Sequence, residues 1–251
     1  MYTPTFRTKK NGVPILNKAE LDTMGERLVA DFCPAAMQKP MEIDIDRFVS
    51  RYLGMVLDYQ WLSHKGIYLG MTVFEDTDKV PVYDATHGCA DYIRAAAGTV
   101  IIDNSLLEEK QEHRYRYTMG HEGSHGILHP GYYACDPNQL SFYDEPRVPM
   151  IACRKDGPHK PLNLWTDKDR MEWQANFLSS AILMPMSMVR DLIAETPLCY
   201  TPLLPAQYVL AVSNTFNVSL EAAEYRLKHL DIIAHNTTIS KACFDFLSIA
   251  T

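Results

Sequence analysis

The sequence predicts a mixed fold of helices and short strands, on three observations. Apolar residues recur at helical spacing from Lys18 to Phe32 and again over residues 206–230. Short β-branched and aromatic runs, MVLDYQWLS, GIYLGMTVF and GTVIID, lie between residues 55 and 103. A capped amphipathic stretch, TDKDRMEWQANFLSSAILMP, is closed by Pro185.

Residues 1–18 are polar and punctuated by Pro4, Gly12 and Pro14, which predicts an arm. The first helix follows, with Asn17 as N-cap and Leu21, Met24, Leu28 and Val29 on its apolar face. A second helix is expected from Asp44 to Leu53, presenting Ile45, Phe48, Val49 and Tyr52. GTVIID (98–103) is a continuous β-branched run, a pattern for a strand inside a sheet or an edge packed on both faces. Leu106 to His129 reads as a helix with a charged start, EEKQEHRYR, stopped by Pro130 and Gly131.

Residues 130–166 contain prolines at 130, 137, 146, 149, 158 and 161 and read as irregular, a length that is often functional. The next helix is capped by Thr166 or Asp167 and buries Met171, Ala175, Leu178 and Ile182. After the break TPLCYTPLLP, two helical patterns flank a turn at Asn217–Ser219. The expected organisation is an arm over 1–18, a main domain over 19–200 with an insertion at 130–166, and a C-terminal helical segment over 201–251.

Composition narrows the function classes. The chain has 251 residues, 47% apolar and 22% charged, as globular proteins do. A net charge of −7 argues against a polyanion binder, so no direct nucleic-acid binding is expected. No run of eighteen apolar residues occurs, so no membrane span is expected. Six cysteines without a CxxC pair, behind a start with no apolar export core, are expected to be reduced thiols in the cytoplasm.

The chemistry concentrates in MGHEGSHGILH (119–129), where His121-Glu122-Gly123-Ser124-His125 is an HExxH pattern. Positions i and i+4 share one helix face, so both imidazoles can reach one ion. Zinc suits such donors and in catalytic sites takes three protein ligands and a water. Glu122 lies one residue round from His121, placed to act as general base on that water. Glu172, on the capped helix with Asn176 one turn on, is a candidate third ligand. Asp136, Asp144, Glu145, Asp156 and His159 compete with it, and spacing alone does not choose. His129 lies near the same face, but a histidine at a helix C-terminus is also favoured by the dipole. Tyr115, Tyr132, Tyr133, Tyr143 and His159 are candidates for oxyanion stabilisation. Cys135, Cys153 and His159 are spaced in no compact zinc pattern.

HEGSHGILH followed by EWQANFLSSAILMP resembles the ImmA/IrrE family of bacterial metallopeptidase-like proteins. DIDRFVSRYLGMVLDY, GIYLGMTVF, GTVIID with RYRYTMGHE, and FNVSLEAAEYRLKHL extend the resemblance over most of residues 42–231. It implies a zincin-like α+β fold with a small mixed sheet, an HExxH helix, a second ligand helix and C-terminal helices. It implies one zinc ion per chain held by His121, His125 and Glu172 in a gluzincin-type site, with Glu122 catalytic. It also implies a protein substrate, a helix-turn-helix repressor cut at one site. Ser124, Ser179 and Gln174 depart from the family pattern, and the 130–166 insertion is long for it. Two other functions compete: a catalytically silent, metal-stabilised regulator, and a zinc amidase or deacylase acting on a small molecule.

Overall fold

The structure, a computed structural model, describes residues 1–134, 149–154, 164–196 and 204–244. Helix α1 (Lys18–Phe32) starts as its sequence dictates: the Asn17 side chain accepts from the Glu20 N–H, and Glu20 accepts from the Asn17 N–H. Its predicted apolar face is buried. The second predicted helix is a short α2 (Ile45–Arg47), capped by Asp44, running into a π turn over Phe48–Tyr52.

Strands β1 (Val56–Gln60) and β2 (Tyr68–Val73) are followed by β3 (Thr77–Asp84), β4 (Cys89–Ala95) and β5 (Thr99–Asp103). With β6 (Met150–Arg154) they form two sheets: a four-stranded one ordered β1-β5-β2-β6, and the β3–β4 hairpin. β1 runs parallel to β5 and the other pairings are antiparallel, so the main sheet is mixed. The fold is α+β. Every residue of β5 is buried, as the continuous GTVIID run requires. Both edges of β5 are taken by β1 and β2, so an extended peptide cannot add beside that strand.

Val100 and Ile102 face the helices, whereas Ile101, Met71 and Val73 pack on Val80, Val82 and Ala95 of the hairpin. The hairpin was absent from the sequence reading. Pro81 sits inside β3, and proline argues against a strand wherever both edges must pair. In a two-stranded ribbon each strand has one edge outside the ladder, where a missing N–H breaks no ladder bond, which removes the objection.

Helix α3 (Glu112–Leu128) begins at Glu112, after 3-10 turns at Asn104–Leu107 and Glu109–Gln111, rather than at Leu106. Pro130 does not simply end it. It opens a short helix α4 (Pro130–Tyr133), since a first-turn residue needs no N–H partner. The segment read as irregular thus contains α4 and β6. β6 is one five-residue strand whose pairing partner lies about eighty positions upstream, which local periodicity does not reveal.

Helix α5 (Asp167–Leu183) is capped by Thr166, reciprocally with Asp169. Helices α6 (Met186–Glu195), α7 (Leu204–Phe216) and α8 (Leu220–His229) complete the main core. The predicted turn between the last two contains Asn217 at φ 51°, a left-handed conformation asparagine tolerates. α8 is anchored by Arg226, fully buried, whose guanidinium lies 2.6 Å from Asp22 of α1 and whose Nε donates to the Met184 carbonyl. α3 and α5 approach closely where Gly120 faces Ser179: a β-carbon at Gly120 would sit 2.6 Å from the Ser179 hydroxyl. No single helix among the described residues is long and apolar enough to cross a membrane.

Candidate metal centre

Tyr117, His121 and His125 follow one another at four-residue spacing on α3, so their side chains form one stripe, and both histidines are fully buried. Their Nε2 atoms lie 2.9 Å apart. α5 brings Glu172 to the same point, with Oε2 3.3 Å from His121 Nε2 and Oε1 3.5 Å from His125 Nε2. An ion about 2.0–2.1 Å from each of its tetrahedral ligands would hold them roughly 3.3 Å apart. The three observed separations bracket that value.

The hydrogen bonds behind the imidazoles fix which nitrogen is bare. His121 Nδ1 is 2.9 Å from Asn176 Oδ1, which can only accept, so Nδ1 carries the hydrogen and Nε2 a lone pair. For His125 the chain of bonds is longer. Gln174 Nε2 donates to the Pro14 carbonyl, which leaves Gln174 Oε1 to accept from His129 Nε2. His129 Nδ1 must then accept from His125 Nδ1–H at 2.8 Å, leaving His125 Nε2 bare. His129, read from sequence as a helix-end neighbour, is a direct partner of His125. Two nitrogen lone pairs and a carboxylate thus converge within 4.8 Å of one another, a set that a cation satisfies. Two imidazoles, one carboxylate and a fourth direction left over suit zinc.

Without an ion, a proton takes the place beside His121 Nε2 that these acceptors offer a cation. Burial works against His121, yet Cys153 and Glu172 beside it raise its affinity for a proton well above the ordinary value. Burial lowers His125, with help from His121. Burial also tends to raise Glu172, but hydrogen bonds to His121 and His125 hold its carboxyl well below the usual range.

Glu122 is in the opposite condition. It is fully buried, and burial pushes its carboxyl up to about 8 against the pull of His121 and Thr72. Thr72 Oγ1 lies 2.6 Å from Oε2 and 3.0 Å from the Glu122 carbonyl. Oε1 has no hydrogen-bond partner. Two neighbouring carboxylates are therefore driven apart, one anionic and one able to take a proton near neutrality. Gly70 on β2 makes room for the second: a β-carbon there would fall 2.6 Å from Oε1 and 2.8 Å from Thr118 Cγ2. Gly70→Ala is expected to displace the Glu122 carboxylate and to cost about 1–3 kcal/mol by overpacking, measurable by denaturant unfolding.

Two further candidates are bonded or stacked elsewhere. Tyr115 turns away, bonded to Asp46 and Tyr59, and Tyr133 stacks on Phe74. Asp136, Asp144, Glu145, Asp156, Tyr143, His159 and Cys135 lie outside the described residues. Ser124, at a position where the family pattern has glycine, is accommodated by donating to the Gly120 carbonyl at 2.7 Å. A cavity of about 520 Å³ lined by Trp61, His64, Lys65, Tyr83 and Arg114 contains none of the converging residues. The sequence reading missed Thr72 and Tyr117. Tyr117 had a signal, lying four residues before His121, and its hydroxyl meets Asn176 Oδ1 at 3.2 Å.

Residues 159–228 match the family model Peptidase_M78, described as the IrrE N-terminal-like domain. Over this segment the chain is similar to the ImmA/IrrE family. The match spans α5 with Glu172 and Asn176 and most of the C-terminal helices, and it begins after the HExxH helix. The matched segment therefore includes Glu172 but not the HExxH residues that Glu172 meets in space. No curated protein matches this chain.

Proposed function

We propose that this chain is a zincin-like, zinc-dependent metallopeptidase that hydrolyses one peptide bond in a specific protein substrate, a helix-turn-helix transcriptional repressor in the cytoplasm. The observation that carries the reading is the unpartnered, fully buried Glu122 Oε1 beside three converging metal donors. Burying a carboxylate oxygen without a partner costs free energy that folding alone does not explain. His121, His125 and Glu172 would hold one zinc ion. When bound, zinc supplies Lewis acidity, polarising a carbonyl and acidifying a water.

The chain's own residues do the rest. Thr72 holds Oε2, so Glu122 presents Oε1 to the attacking water and takes its proton, then returns it to the leaving amine. Asn176 and His129 orient the two ligand imidazoles. His129→Ala and Asn176→Ala are each expected to weaken zinc affinity about 10–100-fold, measured by competition with a chromogenic chelator.

The test is zinc stoichiometry together with cleavage of a repressor whose gene adjoins that of this chain. One zinc per wild-type chain, lost in Glu172→Ala, with cleavage abolished in Glu122→Gln, is the expected result. Cleavage by Glu122→Gln at the wild-type rate would remove the enzyme reading and leave a metal-stabilised regulator.

A further inference from the structure

We propose that the N-terminal arm is part of the metal centre: its Pro14 carbonyl decides, through Gln174 and His129, which nitrogen of His125 is left bare for the ion. The proposal rests on the metallopeptidase reading above, since the ion is the one that reading requires. It makes Pro14 and Gln174 positioning residues.

Residues 7–15 of the arm fold back on themselves. Thr8 pairs with Pro14 in an antiparallel bridge, and the Lys9 and Ile15 N–H groups donate to the Val13 and Arg7 carbonyls, each at 2.8 Å. Gly12 turns the chain at φ 86° and lies directly on α4. A β-carbon there would fall 2.8 Å from the Tyr132 nitrogen and closer still to the Gly131 carbonyl. Val13 is fully buried. On the other flank, Lys9 and Asn11 both reach the Asp167 carboxylate at the start of α5, Asn11 at 2.7 Å. The arm is therefore held between the chain that follows the HExxH helix and the helix that carries Glu172.

What the arm adds there is an acceptor. The Gln174 amide is buried and could lie either way round. As found, its Nε2 donates to the Pro14 carbonyl at 2.9 Å and its Oε1 faces His129 Nε2 at 3.1 Å. Turned over, its oxygen would meet the Pro14 oxygen, and its nitrogen would have to donate to His129 Nε2. His129 would then carry its hydrogen on Nδ1 and donate it to His125 Nδ1, 2.8 Å away. His125 would carry its own hydrogen on Nε2, the atom that must meet the ion. Both imidazoles are fully buried, so solvent does not supply an alternative partner. One carbonyl of the arm thus selects between a histidine that can bind a metal and one that cannot. Lifting the arm weakens metal binding without touching a ligand.

Zinc affinity of full-length variants tests this, read by competition with a chromogenic chelator. Gln174→Leu, with neither donor nor acceptor, should bind zinc about 10–100-fold more weakly. Gln174→Glu, whose carboxylate accepts from His129 whichever way it turns, should bind like wild type. Gly12→Ala, which pushes the arm off α4 and leaves the relay residues intact, should lose affinity in the wild-type chain and lose none in the Gln174→Glu chain. An arm that only braces the fold would cost both chains the same. That result, or an undiminished affinity in Gly12→Ala, overturns the proposal. A measurement on the metal-free wild type covers variants that fail to fold: nitrogen-15 spectra should show His129 protonated on Nε2 and His125 on Nδ1. The opposite tautomer on either ring, in a chain that binds zinc, overturns this proposal alone. A wild-type chain that binds no zinc overturns the metallopeptidase reading and this proposal with it.

Discussion

Glu122→Gln is expected to keep one zinc per chain and to slow substrate cleavage by about 10²–10⁴-fold, the usual contribution of a general base. The substitution is nearly isosteric, and the amide oxygen can still accept from Thr72, which now bonds Oε2. What is lost is the basic oxygen. Stability should move the other way. The folded chain raises the Glu122 carboxyl from 4.5 to about 8, so ionising it opposes folding. That penalty is absent below pH 4.5, grows as pH rises, and is complete above about 8. Metal-free Glu122→Gln should therefore be more stable than metal-free wild type at pH 7, by on the order of 2–3 kcal/mol, and no more stable at pH 4. Thermal unfolding at the two pH values measures this. An unchanged difference between them would mean that Glu122 is not held in an environment hostile to its charge. Lost activity with gained stability marks a residue kept for chemistry at the expense of the fold.

Arg226→Ala is expected to destabilise the chain by about 3–5 kcal/mol, because it strands Asp22 in the interior. The guanidinium is fully buried and close to Asp22, but the contact is not aligned as a hydrogen bond, so the attraction is chiefly coulombic. At roughly 2–4 °C per kcal/mol for a chain of this size, the melting temperature should fall by about 10 °C. Replacing both partners, Arg226→Met with Asp22→Leu, should recover most of that loss, since removing an ion pair whole avoids the unpaired charge. If the double variant is as unstable as Arg226→Ala, the dominant loss is the Arg226 bond to the Met184 carbonyl instead.

Much of the helical part was legible because its signals are local. Asn17 with Glu20 caps α1, Thr166 caps α5, and the apolar faces named from spacing are buried. The β3–β4 hairpin and β6 were not legible, for different reasons. Pro81 argues against a strand until its neighbour in the chain makes it half of a hairpin, and MIACR is too short to show a period and pairs with a strand about eighty positions upstream. For the candidate site, His121 and His125 followed from the helix repeat. Glu172 stands among several carboxylates in the sequence; the family resemblance names it, and the meeting of α5 with α3 puts it beside both imidazoles.

The sequence by itself determined the spacing of the two imidazoles, the position of Glu122 beside them, and a capped helix bearing Glu172. Those follow from the helical repeat and from the hydrogen bonds that start a helix. Tertiary structure alone decided which nitrogens are bare, through bonds reaching from Pro14 to His125 by way of Gln174 and His129. It alone set Thr72 on one oxygen of Glu122 and brought Cys153 within 4.8 Å of His121 and Glu122. Such contacts join residues up to 160 positions apart. They depend on how elements pack, and a side chain's partners across a sheet or a helix interface leave no mark in its own neighbourhood of the sequence.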